Sequence, residues 1–408
     1  MKAFDFKGKK VLVRVDFNVP LSKTYEITDD TRIRMSLPTI MLILKGGGAV
    51  ILMSHLGRPL KEKLLPDGTP DKEQFTLRHV VAHLEKLTGH LVHFAKDCVG
   101  PVAEDAAARL LMGEILLLEN TRFHAGEEKG DTKLAEQMAK LGDIYINDAF
   151  GSAHRAHAST AIIAKYFPED KRGFGLLMEQ EVKNGLHILH HAEKPVMAVL
   201  GGAKVSDKIA LIQNLMARTD TIAIGGAMAF TFLKAQGGTI GNSLVEDDKL
   251  ELAREIIKQA EETNTKLLLP TDAIVANAFS ADADHKVSPA DHIDAGWMGL
   301  DIGPETARMF SDAIAQHKTL VWNGPMGVFE MAPYANGTLA IARAIATQTR
   351  AGAYSLVGGG DSVAAVMQSG VADDISFIST GGGALLELLE GKELPGVAAI
   401  EHGAKGRR

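Results

Sequence analysis

The chain of 408 residues contains a single cysteine, Cys98. One thiol excludes an internal disulfide and a zinc site built from cysteines. It leaves two interpretations of Cys98, a buried hydrophobic side chain and a reactive nucleophile, of which the first is the commoner in proteins. Residues 1–10 are charged and lack the apolar core of a signal peptide. The sequence therefore predicts a cytosolic location.

Long apolar runs and an excess of positive charge are also missing. The longest run, Ile222–Leu233, is interrupted by Gly225 and Gly226 and falls short of the ~18–20 residues that a membrane span needs. A net charge of −7 gives no reason to expect a nucleic-acid partner. The 46% hydrophobic and 23% charged residues exclude a disordered chain, a collagen-like repeat and a coiled coil. Any anion that the chain binds must be held by local positive charge.

Several catalytic motifs are absent. The sequence has no G-x-x-x-x-G-K-[ST], which excludes a P-loop enzyme. It has no G-x-G-x-x-G, which counts against a Rossmann dehydrogenase and a protein-kinase glycine loop, and no G-x-S-x-G or H-E-x-x-H. His187, His190 and His191 share one predicted helix face, but no further ligand is placed to complete a zinc site. We interpret that face as solvated.

Short apolar runs recur along the chain, each followed by Gly, Asp or Asn and then a helix-like pattern. These runs are Val11–Val15, Ala49–Met53, Leu91–Phe94, Ile115–Leu118, Asp143–Ile146, Val196–Leu200, Thr221–Ile224, Lys266–Leu269, Thr319–Trp322, Tyr354–Val357 and Ile375–Ile378. Runs without polar alternation are typical of strands buried on both faces. Amphipathic stretches between them, such as Asp248–Glu262 and Asn336–Thr349, have the length of crossover helices. The pattern predicts an α/β fold with parallel sheets covered by helices.

Eleven strands are too many for one compact sheet of this length. The division is predicted in Lys171–Lys194, where Glu179–Glu193 indicates one exposed, charge-rich helix before Pro195 begins a new strand. We therefore expect two Rossmann-like, doubly wound parallel-sheet domains joined by a hinge helix. The predicted bounds are 1–172, 173–194 for the hinge and 195–391. The tail, about 392–408, is either free or packed on the first domain, and a monomer is the default expectation.

Polar and basic side chains follow the strands of the first domain. They are Asp16, Asn18, His55, Arg58, Asn120, Arg122, Asn147, Asp148, His154 and Arg155. Ligands of open parallel sheets bind beyond the carboxyl ends of the strands. Arg32 follows a turn rich in Asp and Thr and is expected to begin a helix near the same edge. Four arginines at one edge predict a pocket for a small, multiply charged anion, because guanidinium groups pair with phosphate and carboxylate oxygens. The alternative is scattered surface arginines.

Glycines follow the strands of the second domain instead. They are Gly201, Gly202, Gly225, Gly226, Gly358, Gly359, Gly360, Gly381, Gly382 and Gly383, with Lys204 and Lys208 on one helix face after the first pair. Glycine lets backbone amides approach a ligand, and helix N-termini add unpaired N–H groups, so the loops predict a polyphosphate cradle. Asp361 suits Mg²⁺ or a helix N-cap. Glu330 suits a ribose hydroxyl contact or a solvated loop position.

These observations alone leave more than one functional class open. One alternative is a kinase that acts on another small carboxylate or on a sugar. An assay would identify it by the acid that stimulates ATP consumption. A two-domain solute-binding protein would share the architecture but normally carries an export signal. Because the sheet edges of the two domains carry different residue types, we favour an enzyme that transfers a group between two ligands over a protein that only binds one.

The same loops carry strings specific to one family. They are V-R-V-D-F-N-V-P at 13–20, S-H-L-G-R-P at 54–59, E-N-T-R-F-H-A-G at 119–126, N-D-A-F-G-S-A-H-R-A-H at 147–157, L-G-G-A-K-V-S-D-K-I at 200–209, V-W-N-G-P-M-G-V-F-E at 321–330, and the segments 358–362 and 379–396. Together they resemble phosphoglycerate kinase from about Val11 to Ile400. The resemblance implies phosphoryl transfer between 1,3-bisphosphoglycerate and ADP, giving 3-phosphoglycerate and ATP, with Mg²⁺.

The resemblance also implies roles for individual residues. Positions that match the family's phosphoglycerate contacts are Asp16, Phe17, Asn18, Arg32, His55, Leu56, Gly57, Arg58, Arg122 and Arg155. Positions that match its nucleotide contacts are Lys208, Gly299, Asn323, Glu330, Gly359, Gly360, Asp361 and Ser362, with Asp361 also at the metal position. The implied catalytic set is Arg32, Lys204, Gly360 and Gly383. Ser362 stands where the family usually has Thr, and Leu385 where it usually has Ser.

The implied reaction agrees with the residue types present. Its acceptor is a carboxylate that is already ionised at pH 7, so no general base is needed and none stands out. Charge on the transferred phosphoryl group would be neutralised by Arg32, Lys204, Mg²⁺ and loop amides. Because Arg32 and Lys204 come from different domains, we expect hinge closure, with hinges near Lys171–Lys194 and Gly381–Glu390.

Overall fold

The computed structural model describes residues 4–62, 64–65 and 67–402. The chain forms two compact units, of which unit 1 contains Met1–Lys183 and Glu393–Arg408, and unit 2 contains Asn184–Lys392. Each unit has its own six-stranded parallel sheet. The predicted α/β class with two parallel-sheet domains is confirmed.

The sheet of unit 1 is buried on both faces. Its strands are β1 (Lys10–Arg14), β2 (Ala49–Met53), β3 (Val92–Ala95), β4 (Ile115–Leu118), β5 (Ile144–Asn147) and β6 (Arg172–Phe174), in the order β3-β4-β2-β1-β5-β6. Within β1, Val11 and Val13 belong to one apolar cluster and Leu12 belongs to another. Both faces therefore need apolar side chains, which is why the strands appear in the sequence as continuous apolar runs.

Helices cover the two faces of this sheet. Those in the first segment of unit 1 are α1 (Thr31–Lys45), α2 (Lys72–Phe75), α3 (Arg78–Thr88), α4 (Gly100–Arg109), α5 (Gly126–Lys129) and α6 (Thr132–Ala139), followed by α7 (Leu176–His190), which contains the boundary to unit 2. Ile40 of α1 and Leu84 of α3 pack in the cluster of Val11. Ala103 of α4 and Met138 of α6 pack in the cluster of Leu12. Helices α1 and α3 thus lie on one face of the sheet and α4 and α6 on the other, so that both faces are covered as in a doubly wound fold.

Helix α7 corrects one expectation. It begins and ends three residues earlier than the predicted Glu179–Glu193, and the boundary between the units falls inside it. It is not the exposed helix that its charges indicated. In unit 1 the N–H of Leu176 donates to Thr39 Oγ1 at 2.8 Å and that of Met178 to Asp148 Oδ1 at 3.1 Å. In unit 2, Gly185 lies against Leu388 with no room for a side chain.

Unit 2 has a larger set of strands. They are β7 (Val196–Leu200), β8 (Thr221–Ile224), β9 (Thr239–Ile240), β10 (Lys266–Leu268), β11 (Asp272–Ala276), β12 (His285–Pro289), β13 (His292–Ile293), β14 (Met298–Ile302), β15 (Thr319–Asn323), β16 (Tyr354–Gly358) and β17 (Phe377–Ile378). The main sheet has the order β10-β8-β7-β15-β16-β17. Its helices are α8 (Ile209–Met216), α9 (Met228–Ala235), α10 (Leu250–Glu262), α11 (Pro304–Ile314), α12 (Asn336–Arg350), α13 (Gly360–Ser369) and α14 (Gly383–Leu389).

Each of the eleven predicted strands overlaps a strand of one of the two main sheets. Not predicted were β6 and two small sheets in unit 2, an antiparallel one of order β12-β11-β14 and a parallel pair of β9 and β13. In β12, His285, Lys286 and Val287 are all exposed, so the strand has no apolar run. Strands β9 and β13 have two residues each. Such short or solvated strands leave no periodic signal in the sequence.

The described part of the C-terminal tail packs on unit 1. Helix α15 (Pro395–Glu401) places Ile400 in the apolar cluster of Tyr145, and the backbone N–H of Gly396 donates to Ala153 O at 2.8 Å. The predicted tail beyond 402, and residues 1–3 of the first predicted domain, lie outside the described residues. Among the helices of the described chain, none is long and apolar enough to cross a membrane.

Candidate active site

A cavity of about 370 Å³ lies at the carboxyl ends of the strands of unit 1. We call it the arginine cavity. It is lined by Asp16, Asn18, Arg32, His55, Gly57, Arg58, Glu62, Arg122, Gly151, Ser152, His154 and Arg155. Eight of the ten residues expected to contact phosphoglycerate are in this set. Four arginines against two carboxylates give the cavity an excess of positive charge, which favours an anionic ligand.

Phe17 and Leu56 do not line this cavity, although both were in the expected set. Their side chains pack in the apolar core of unit 1. Phe17 contributes a backbone N–H that donates to Ser54 Oγ at 2.8 Å. In the string D-F-N the flanking polar residues line the cavity, whereas the aromatic ring packs in the core. The motif alone does not show which of its side chains face the cavity.

Hydrogen bonds between the loops hold the cavity in shape. Gly57 N donates to Asn18 Oδ1 at 2.8 Å, and Arg122 Nη1 donates to Gly57 O at 2.9 Å. Asn120, buried behind them, donates to Leu56 O at 2.7 Å. Arg32 donates to the carboxylate of Asp16. The loops after β1, β2 and β4 are therefore coupled, so that the cationic side chains are pre-positioned for a ligand.

The concentration of positive charge shifts the pKa values of neighbouring groups. Burial, reinforced by repulsion from Arg14, lowers the pKa of Arg122 to about 10. Burial and the nearby Arg122 lower the pKa of His157 to about 4. The pKa of His55 is held well below its usual range by burial first and then by Arg14. The histidines are neutral at pH 7, and a bound anion would relieve the repulsion.

Sequence reasoning missed Arg14 as a candidate site residue. It is the last residue of β1, fully buried, and bonded to His55. The available signal was its place in V-L-V-R-V, because a charged residue in a strand buried on both faces must be paired.

The second cavity, of about 500 Å³, belongs to unit 2, and we call it the glycine cavity. Its lining includes the backbone of Gly202, Ala203, Gly226, Gly299 and Gly327, the apolar side chains of Phe230, Leu244, Phe279, Met298 and Val328, and the carboxyl groups of Asp301, Glu330 and Asp361. Gly299, Glu330 and Asp361 were expected. An apolar slot beside glycine loops can hold a flat aromatic base next to polar groups. No sequence motif indicated that these apolar side chains would line the cavity.

Five expected nucleotide contacts do not line the cavity itself: Lys208, Asn323, Gly359, Gly360 and Ser362. Most are joined by hydrogen bonds at the end of β15. Lys208 Nζ donates to Asn323 Oδ1, and Asn323 Nδ2 donates to Gly358 O at 2.7 Å. Gly324 N donates to the buried Ser362 Oγ at 2.6 Å. Ser362 therefore satisfies a backbone group, which either Ser or Thr can do.

Lys204 and Gly383, from the implied catalytic set, are exposed and lie outside the glycine cavity. Gly360, also exposed, is the first residue of α13 and has open space where a side chain would be. Leu385 is buried, and its side chain lies beside Gly358. The hydrophobic side chain at this position thus packs under the glycine loop, where a hydroxyl would be expected from the family.

Asp361 is the residue that fits a magnesium ion. Its carboxylate is exposed in the first turn of α13 and lines the glycine cavity. Mg²⁺ is commonly held by one or two carboxylates, with water and substrate phosphates as the other ligands. The exposed carboxylate of Asp361, in the lining of the glycine cavity, fits that pattern.

Asp301 is a second carboxyl group of this cavity that sequence reasoning missed. It is buried and accepts from Gly337 N at 2.7 Å and Ile302 N at 2.9 Å. Burial raises its pKa to about 7. Because Gly337 is in the first turn of α12, Asp301 satisfies a helix N-terminus and holds it against β14.

Cys98 lies with Asp97 and His124 in unit 1, where their side chains bring three metal-ligating atoms within 4.8 Å. Two of these groups already bond to each other, because His124 Nε2 bonds to Asp97 Oδ1 at 2.7 Å, and the same oxygen accepts from the backbone N–H of Cys98 at 2.7 Å. Burial raises the pKa of the Cys98 thiol well above its usual value. The structure favours Cys98 as a buried hydrophobic side chain over a nucleophile.

Comparison with known proteins identifies the family. A profile of phosphoglycerate kinase matches residues 1–392. A phosphoglycerate kinase of Moorella thermoacetica is 54% identical over 400 residues, which cover 98% of each chain, and a cytosolic one of Triticum aestivum is 52% identical over 97% of this chain and 96% of its own. The solved phosphoglycerate kinase of Coxiella burnetii has a TM-score of 0.85 and 40% identity, covering 98% of this chain and 97% of that one. The chain belongs to the phosphoglycerate kinase family.

Proposed function

We propose that the chain catalyses reversible phosphoryl transfer between 1,3-bisphosphoglycerate and ADP, giving 3-phosphoglycerate and ATP, with phosphoglycerate in the arginine cavity and nucleotide in the glycine cavity. As a member of its family the chain is a phosphotransferase. The main support for placing phosphoglycerate in unit 1 and nucleotide in unit 2 is the arginine cavity, which four arginine side chains line at one edge of the sheet.

The arginine cavity suits a three-carbon acid with a phosphate. Arg58, Arg122 and Arg155 offer forked donors for phosphate and carboxylate oxygens. Asp16 and Asn18 supply acceptors for a hydroxyl group. Asp16 also holds Arg32, whose side chain is 38% exposed and so can reach a ligand. Arg32 is the group we assign to the transferred phosphoryl.

The glycine cavity suits a nucleoside di- or triphosphate. Its apolar side chains would contact the base, and Glu330 would accept from ribose hydroxyls. Lys208 and the free N–H groups at the start of α13 would bind phosphate oxygens. Asp361 would hold Mg²⁺, which neutralises phosphate charge when it is bound with the nucleotide.

Transfer needs alignment and charge neutralisation and no general base, because the acceptor carboxylate is ionised at pH 7. Arg32 belongs to unit 1, whereas Lys204, Gly360 and Gly383 belong to unit 2. Closure of the units around the substrates would bring both sets to one phosphoryl group. We therefore assign hinge closure to the segments 171–194 and 381–390. The monomeric state and the cytosolic location remain predictions.

A coupled assay with 3-phosphoglycerate, ATP and Mg²⁺ tests this function. We expect ATP consumption that depends on 3-phosphoglycerate and is not supported by glycerate, acetate or glucose. Arg32→Ala should lower kcat by about 10³-fold, because an arginine at a transferred phosphoryl contributes at that scale. Arg34→Ala, which removes the exposed partner of Asp30 outside the cavity, is the matched control and should retain wild-type kcat. Full turnover by Arg32→Ala, or equal stimulation by another acid, would overturn the assignment.

A further inference from the structure

Each nitrogen of the Arg14 guanidinium makes a hydrogen bond behind the arginine cavity. Its side chain is fully buried at the end of β1. The guanidinium donates to Val15 O, to Ser159 Oγ at 2.7 Å and to His55 Nδ1, from which Arg14 Nη2 is 3.1 Å away. Arg14 does not line the cavity, so any effect on a ligand must pass through another side chain.

The bond to His55 determines where the imidazole carries its proton. A guanidinium has only donors, so Nδ1 must be the acceptor and carries no hydrogen. The proton of the neutral ring is therefore on Nε2. Nε2 forms no hydrogen bond within the described part of the chain, and His55 lines the cavity. The ring thus offers the cavity one donor, Nε2–H.

The positive charge of Arg14 is balanced on its other side. Ser159 accepts from Arg14 and donates its own hydroxyl to Glu127, whose side chain is fully buried. The backbone N–H of Ser159 donates to the second oxygen of Glu127 at 3.0 Å. A buried guanidinium and a buried carboxylate that share one hydroxyl compensate each other, which is the condition for keeping both charges.

The other groups around His55 also oppose its protonation. The charged and titratable side chains facing it are Arg14 of β1, Arg32 of α1, Arg122 after β4 and His157 after β5. Asp16, one of the two carboxylates in the cavity lining, is bonded to Arg32. Burial and this repulsion hold the pKa of His55 well below its usual range.

We propose that Arg14 is a positioning residue that fixes His55 as the neutral Nε2–H tautomer, so that His55 donates one hydrogen bond to an anionic oxygen of the substrate. The substrate class rests on the function proposed above. A neutral donor binds an anion without taking up a proton, so substrate affinity does not follow the titration of His55.

The tautomer is measurable in the wild-type chain without substrate. Nitrogen-15 NMR of the histidine-labelled protein between pH 5.5 and 8 should show His55 protonated on Nε2 alone, with no titration in that range, and the signal is assigned with His55→Gln. Protonation on Nδ1, or titration of His55 within the range, would overturn the proposal. The result does not depend on catalysis, so an inactive protein with the expected tautomer would contradict the proposed function alone.

Kinetics test the consequence of removing the constraint. In Arg14→Met the ring can exchange tautomers and protonate at higher pH, so the KM for 3-phosphoglycerate should rise about tenfold over wild type at pH 8. This ratio should shrink at pH 6, where an imidazolium again donates to the anion, while the KM for ATP stays unchanged. A merely structural role would give the same ratio at both pH values and would contradict the proposal.

Two further variants separate positioning from folding. In a His55→Gln background, whose amide has no tautomers to select, Arg14→Met should cost at most about twofold in KM, whereas independent roles would leave the tenfold cost. Arg34→Met, an exposed substitution outside the cavity, is the matched control and should change neither KM nor its pH dependence. If Arg14→Met does not fold, the wild-type NMR measurement decides the question.

Discussion

Lys208 illustrates how a single residue can carry a pH dependence. Its ammonium group donates to Asn323 at the end of β15, and burial lowers its pKa to about 8, against the opposing effect of Asp207 and Asp361. The protonated form of Lys208 therefore predominates at pH 7 and is lost as the pH rises through 8. Nucleotide phosphates favour the protonated form, so binding and protonation are linked.

We predict that the affinity for Mg-ADP falls above pH 8, by up to about tenfold for each pH unit, as one proton must be taken up on binding. Lys208→Arg should remove this dependence between pH 8 and 9.5, because a guanidinium stays charged there. Isothermal titration calorimetry at pH 7, 8, 9 and 9.5 measures the affinity of the wild type and of Lys208→Arg for Mg-ADP. Lys234→Arg, which changes an exposed lysine paired with Asp247, is the control and should behave as wild type. A pH-independent affinity in the wild type would contradict the role of Lys208.

Individual site residues were predictable where the chemistry of the side chain shows in the sequence. The arginines after strands β2, β4 and β5 could be placed at one edge because parallel strands end there. Phe17 could not be separated from its polar neighbours, since a motif does not tell which side chain faces inward. Arg14 was overlooked because the sequence shows only that a charge within an apolar run needs a partner. Which residue is that partner depends on the fold.

At the scale of elements, the junction of β16 and α13 is a constrained part of unit 2. Gly359 has a φ of +95°, in the region that L side chains rarely adopt. A Cβ at this position would lie 2.7 Å from Asn323 Nδ2. The turn therefore needs glycine both for its backbone conformation and for the close approach of the side chain that holds Lys208.

We predict that Gly359→Ala weakens Mg-ADP binding by on the order of tenfold, because Asn323 must move and Lys208 loses its acceptor. Gly370→Ala is a matched control at the other end of α13, where φ is +71° and no atom lies within 4 Å of the added methyl group. Both variants should lose about 1–2 kcal/mol of unfolding free energy from the left-handed backbone. Thermal denaturation and calorimetry separate the two effects, and equal loss of affinity in both variants would count against the turn as part of the site.

Elements with a buried apolar run were predictable, and elements stabilised by tertiary contacts were not. The five residues of β2 are all buried, and their apolar run coincides with the strand. Strand β12 forms because β11 offers it hydrogen bonds, although four of its five residues are exposed. Helix α7 looked solvated because its charges are conspicuous, whereas contacts at its two ends bury part of it.

At the scale of the whole molecule, each of the two units has a cavity at the edge of a parallel sheet, and we propose one substrate for each cavity. The number of strands predicted two domains. The arginines that follow the strands of the first domain and the glycines that follow those of the second predicted two different ligand sites. The sequence could not predict the tail, because only the packing of Ile400 and Gly396 on unit 1 decides its place.

Closure is the prediction that belongs to this scale. With 3-phosphoglycerate and Mg-ADP bound together, we expect small-angle X-ray scattering to give a smaller radius of gyration than for the free chain, because both units must contact one phosphoryl group. Each ligand alone should give a smaller change than the two together. An unchanged radius of gyration with both ligands at saturating concentration would contradict hinge closure.

Hydrogen–deuterium exchange on the full chain tests the division of roles most directly. We predict that 3-phosphoglycerate alone slows exchange in the loops at 16–18, 54–58, 121–123 and 151–157 of unit 1. Mg-ADP alone should slow exchange at 202–208, 323–330 and 359–363 of unit 2. Protection of the unit 2 loops by 3-phosphoglycerate, or of the unit 1 loops by Mg-ADP, with the expected loops left unprotected, would contradict the assignment of one substrate to each unit.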